Sequence, residues 1–179
     1  MTKKLLRSFR TQRGFTLIEL VIYIGILSIL LGVLSSIFTA IVDVQLESEA
    51  TSSVDQDGRY LLAKLSYDVQ QLNPYAHSTD AVVIPANPGD TSDTMQLNIN
   101  SILYTYSLDA NDNLQVTDSG AGNSYQLNSY DTSVSNVSFT RVGSGDSNDT
   151  VQVSYTINSR TKERSGQETK SFQTTLGKQ

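Results

Sequence analysis

From Leu20 to Val42 the sequence carries no charged side chain. A run of 23 residues exceeds the roughly 20 that a helix needs to span a bilayer. A buried core helix of a soluble protein would show the same hydropathy, but the rest of the chain is too polar to wrap one. Glu19 is the only charged residue between Phe15 and Val42. An ionised side chain at the bilayer centre costs about 2.5–3.5 kcal/mol on insertion scales, so a chain that keeps one there is expected to use it.

Charge is unevenly spread. Lys3, Lys4, Arg7, Arg10 and Arg13 precede the apolar run with no acid among them. The remaining residues hold eight bases and 18 acids, a net of −10. A basic flank favours retention of that end in the cytoplasm, which places the acidic remainder across the membrane. The apolar segment is longer than the roughly 7–15 residues of a secretory signal, and no A-x-A-like cleavage site follows it. Any cut is therefore expected before the segment, in the basic leader. The chain has no cysteine, which excludes disulfide staples, thiol catalysis and cysteine-ligated zinc.

RGFTLIEL, residues 13–20, resembles the N-terminal processing motif of type IV pilins and type II secretion pseudopilins. The resemblance covers about residues 1–45. It implies cleavage by a prepilin peptidase between Gly14 and Phe15 and N-methylation of the new amine on Phe15. It also implies an assembly role for Glu19, paired with the N-terminal amine of a neighbouring subunit. Gly14 suits a protease cleft because it has no side chain. Amine and carboxylate are each costly alone in apolar surroundings, and removing one partner of a buried pair costs about 3–5 kcal/mol. An intrasubunit partner is the alternative, because the amine and Glu19 lie one helical turn apart. Gly25, Ser28, Gly32 and Ser36 recur at spacings of three and four, so they share a helix face where small residues allow close helix packing. Generic enrichment of small residues in membrane helices is the competing reading. No proline interrupts the chain between Phe15 and Asn73, so no proline kink is expected. Any local melting would centre on Gly25 or Gly32.

The helical pattern continues past Asp43, with Val54, Gly58, Leu61, Leu62, Leu65, Val69 and Leu72 forming one stripe. Asn73-Pro74 is expected to end it. Thr51-Ser52-Ser53 and Gly58 are expected to weaken its middle, enough to bend or interrupt it. Residues 75–93 read as a loop. MQLNI, ILYTYSL, NLQVT, VSFTRV, VQVSYTI and KSFQTTL then alternate as strands, with a hairpin connection at Leu108–Leu114 and a polar turn over Arg160–Thr169. The expected fold is α+β: one long N-terminal helix, half transmembrane and half amphipathic, packed on an antiparallel sheet. The expected segments are a leader at 1–14, a transmembrane helix at 15–42, its amphipathic continuation at 43–73 and a head at 74–179. GRYLLAKLSYDVQQL and the closing strands resemble the larger minor pilins and pseudopilins of the J-like and W-like class. Absence of cysteine departs from the disulfide-bounded loop of many major pilins.

The head shows little chemistry. His77 is the sole histidine and lies in a polar loop, with no nucleophile motif beside it. Asp109, Asn111 and Asn113 copy the opening of a calcium loop, but Leu114 stands where glycine is required and Gly120 where glutamate is expected. A hairpin turn is the better reading. Arg160, Lys162, Arg164, Lys170 and Lys178 gather near the end, interrupted by Glu163 and Glu168, which fits a solvated hairpin better than a nucleic-acid surface. Asn136 and Asn148 match the N-glycosylation pattern, which has no bearing on a prepilin.

The sequence therefore reads as a non-enzymatic prepilin-type subunit without cofactor or metal, more a minor subunit than a major one. Its expected partners are the prepilin peptidase, other pilin or pseudopilin subunits, an inner-membrane assembly platform and the lipid bilayer; nucleic acid is not expected. Its expected place is a single pass of the cytoplasmic membrane with the head outside, then a cell-surface or periplasmic filament. A signal-anchored binding domain that forms no filament is the alternative.

Overall fold

A computed structural model describes residues 14–72, 82–142, 150–163 and 166–177. The fold is α+β: a single long helix, α1 (Leu17–Gln70), followed by antiparallel strands. The chain divides into two compact units, residues 1–42 and 43–179.

In the first unit every described side chain from Leu20 to Ala40 is exposed. α1 contains a window of mean hydropathy 2.6, none of it buried, so it is long and apolar enough to cross a membrane. At about 1.5 Å per residue, Leu17–Val42 extends about 39 Å, more than a hydrocarbon core of about 30 Å. Its hydroxyls are partly hidden. Ser28 Oγ donates to the Ile24 carbonyl at 2.7 Å, and Thr39 Oγ1 to the Ser35 carbonyl at 3.0 Å. Such back-bonding satisfies a donor that lipid cannot serve.

The second unit holds the remainder of α1 and nine strands: β1 (Val82–Ile84), β2 (Thr91–Ser92), β3 (Met95–Ile99), β4 (Ile102–Leu108), β5 (Leu114–Asp118), β6 (Asn123–Gln126), β7 (Thr132–Arg141), β8 (Thr150–Glu163) and β9 (Gly166–Gly177). They form two antiparallel sheets, ordered β1-β3-β4-β5-β6 and β2-β7-β8-β9. The sequence suggested one sheet. Val54, Leu61, Leu65 and Val69 of α1 join Leu97 and Tyr106 of the first sheet and Phe139, Val153 and Ile157 of the second in one core.

Polar anchors fix the helix against both sheets. Asp57 is buried and accepts from Ser129 N at 2.8 Å, Ser129 Oγ at 2.7 Å and the Thr132 hydroxyl. Asp68, also buried, accepts from the Tyr106 hydroxyl and from Lys64 at 2.7 Å. The Tyr155 hydroxyl donates to the Gly58 carbonyl at 2.7 Å. Burial pushes the phenols of Tyr106 and Tyr155 well above the ordinary tyrosine range, so both remain donors. Each buried carboxylate has the partners without which desolvation would oppose its burial.

Several expectations need correction. α1 is unbroken through Thr51-Ser52-Ser53 and Gly58. Burial of the surrounding stripe outweighs the weak propensity of these residues. The helix ends at Gln70, before Asn73-Pro74, which lies outside the described residues. The stretch read as loop contains β1 and β2, too short to show alternation; each gains its place from a longer partner, β3 and β7. The turn read over Arg160–Thr169 is mostly strand, because β8 runs to Glu163 and β9 begins at Gly166. Polarity there reflects exposure on a ladder whose hydrogen bonds do not need apolar side chains. β6 was not foreseen: its residues are exposed or half-buried and show no apolar face. β7 begins at Thr132 rather than Val137, and a bulge at Asn136, with φ of +52°, breaks its alternation.

Gly58 has a packing reason. A Cβ added there would lie 2.0 Å from Phe172 Cζ, and the Phe172 ring stacks on Tyr155 with centroids 5.6 Å apart. Gly58→Ala gains helix propensity of about 0.5–1 kcal/mol but suffers overpacking of about 1–3 kcal/mol. Denaturant unfolding of the solubilised chain should show a net loss of about 1–2 kcal/mol. A variant as stable as the parent would refute this account of the contact.

Candidate processing and assembly site

The first described residues, Gly14, Phe15 and Thr16, are non-helical, and α1 begins at Leu17. Thr16 supplies the start. Its Oγ1 accepts the backbone N–H of Glu19 at 3.3 Å, and its carbonyl accepts from Leu20 N at 3.2 Å. Thr16 is therefore an N-cap, and Thr-x-x-Glu is the capping-box spacing. A cap satisfies a backbone donor that would otherwise be orphaned at the helix end. Glu19 falls in the first turn, where the helix dipole favours negative charge.

Phe15, Glu19 and Tyr23 share a face. The Tyr23 hydroxyl donates to Glu19 Oε1 at 3.4 Å, a long contact. The Phe15 and Tyr23 rings meet edge to face, with centroids 6.1 Å apart. Gly14 is exposed, and nothing lies within 4 Å of where its Cβ would be. Sequence reading passed over Thr16 and Tyr23, although the capping-box spacing and the i, i+4 aromatic were both visible. Gly25, Ser28, Gly32 and Ser36 all lie in the exposed part of α1; Gly25 and Gly32 have open space around them, and Ser28 is back-bonded.

A family model, the prokaryotic N-terminal methylation motif, matches residues 9–35. The chain is prepilin-like. No curated protein and no solved structure matched it. The prepilin-like match takes in Gly14, Phe15 and Glu19 and most of the apolar part of the helix. Together with that helix it fits a membrane-anchored pilin or pseudopilin.

The remaining candidates lie in the head, except His77, Arg164, Lys178 and Asn148, which are outside the described residues. Among the described residues no group of three or more His, Cys, Asp or Glu could hold a metal ion. Asp109 is committed to its own turn. Its Oδ1 accepts from Asn111 N and Asn113 N, both at 2.8 Å. Its Oδ2 accepts from Asn113 Nδ2 at 2.9 Å and Gln115 Nε2 at 2.8 Å. Of the basic cluster, Arg160 donates to the Thr132 and Asn111 carbonyls, both at 2.8 Å, and Lys170 pairs with Asp55 at 2.6 Å. Lys170 holds the Asp55 carboxyl below its ordinary range.

The Asn113 backbone N–H, then its side-chain amide, holds the Asp109 carboxyl down to about 2, from an ordinary 3.8. A depressed folded value means that its stabilisation is complete above pH 3.8 and is lost as pH falls towards 2. Carboxyl-carbon NMR should find Asp109 still ionised at pH 3, and an ordinary midpoint would contradict the turn geometry.

Proposed function

We propose that this chain is a structural subunit of a type IV pilus or type II secretion pseudopilus. A prepilin peptidase cuts it between Gly14 and Phe15 and methylates the amine of Phe15. The observation that carries the reading is the methylation-motif match at residues 9–35 running into an uncharged, fully exposed apolar helix. The local geometry is compatible with it: the scissile bond falls in exposed, non-helical chain, and the cut leaves the Thr16 cap in place.

Cleavage creates a cation next to the positive end of the helix dipole. That position is unfavourable for an amine and favourable for Glu19. A neighbouring subunit's amine then gives Glu19 a partner that lipid cannot, so the pair favours docking and sets axial register. Gly25, Ser28, Gly32 and Ser36 provide a close-packing face for the same assembly. The basic leader keeps the N-terminus cytoplasmic and the head outside. A minor subunit, near the tip or in initiation, is the preferred role, resting on the J-like and W-like resemblance and the absence of cysteine.

Mass spectrometry of the protein from cells with an active prepilin peptidase should find a chain starting at methyl-Phe15. An intact leader there would sink the proposal. Gly14→Leu should block processing. Glu19→Ala should insert normally yet enter filaments at least tenfold less, about 1.4 kcal/mol of lost pairing. Normal incorporation would remove the pairing role.

A further inference from the structure

Beside the β4–β5 turn, Asp109, Asn111, Asn113, Gln126, Tyr130 and Arg160 line an open cavity of about 340 Å³. That lies at the small end of ligand cavities, about 300–1,000 Å³. Tyr130 is 88% exposed, the most exposed large hydrophobic residue described. An aromatic ring held in water at the mouth of a polar cavity presents an apolar face beside hydrogen-bonding groups.

The polar lining is rigid but not spent. The four bonds onto Asp109 fix the turn, and Arg160 Nη2 holds the Asn111 carbonyl at 2.8 Å and Asn113 Oδ1 at 3.0 Å. Gln126 Nε2 is bound to the Asn128 carbonyl at 2.8 Å, which orients its Oε1 as an acceptor. Among the described residues, Arg160 Nη1, the Asn111 side-chain amide and Gln126 Oε1 have no hydrogen-bond partner. Arg160 and Gln126 are therefore already positioned, and ordering them on binding costs little, whereas the exposed Asn111 amide and Tyr130 ring order on the ligand. One cation, Arg160, and one anion, Asp109, leave the lining with no net charge. A divalent cation fits poorly, because Asp109 is saturated by donors and Arg160 stands beside it.

A ligand matching this lining is uncharged, carries closely spaced hydroxyls that both donate and accept, and has one apolar face. We propose that this cavity binds a neutral pyranose, stacked on Tyr130 and hydrogen-bonded by Asn111, Gln126 and Arg160. Aromatic rings have a negative face, which attracts the weakly positive C–H face of a sugar ring. Planar amide and guanidinium groups match pairs of adjacent hydroxyls. This inference does not rest on filament assembly, since an isolated chain carries the whole cavity.

The test is saturation-transfer NMR on the full chain in a detergent without sugar headgroups. The probes are glucose, galactose, mannose and the N-acetylhexosamines. Transfer to the ring protons of at least one, with Kd of about 1 mM, is the expected result for so small a ligand. Tyr130→Ala should weaken binding about tenfold, and Asn111→Ala several-fold, with unfolding transitions unchanged because both side chains are exposed. Absence of transfer to every sugar, or equal transfer from both variants and the parent, overturns the proposal.

Discussion

Burial of one helical stripe, Val54–Leu61–Leu65–Val69, is the interaction on which the second unit depends. Both sheets place apolar residues in the core that this stripe completes. A two-residue strand and a three-residue strand have little stability of their own. They persist because the longer strands beside them are fixed against α1. The helical residues gain as much from the contact, since Thr51-Ser52-Ser53 and Gly58 are weak helix formers. Helix and sheets therefore stabilise each other's least regular parts.

The same helix treats its carboxylates in different ways. Asp57 and Asp68 are buried, and each is paid for by donors from the surrounding structure: Ser129 and Thr132 for one, Tyr106 and Lys64 for the other. Among the described residues the Glu19 carboxylate has only a long contact from Tyr23. Asp57 and Asp68 have their partners within the chain; Glu19, in an apolar segment, has no comparable set among the described residues. That contrast gives physical content to the proposal that Glu19 finds its partner in another subunit.

Much of this was legible in sequence. The uncharged run and the 3.6-residue stripe follow from periodicities that burial imposes directly, so the helix and its buried face could be read residue by residue. The long alternating strands β3, β4, β5 and β8 could be read for the same reason. Position 58 could not, because the reason for glycine lies in Phe172, far along the chain. Nor could β2 or β6, whose residues carry no apolar alternation and owe their conformation to a neighbour's unpaired edge. At the N-terminus the motif was legible as a resemblance. Its cap, Thr16, is visible in the Thr-x-x-Glu spacing itself, because the bond it makes is local to the first turn.

The bulge at Asn136 makes β7 a strand with two phases. Thr132 and Val134 face inward on one count, and Val137, Phe139 and Arg141 on the other. Loss of Asn136 itself would restore a regular ladder with Val134 and Val137 in one phase, whereas loss or gain of a residue elsewhere in the strand would shift part of it by one position and turn that part inside out. Length in this segment is therefore fixed more tightly than residue identity. Exchanges of one side chain leave the phase intact, whereas the loss or gain of one residue away from the bulge exchanges core for surface along part of the strand.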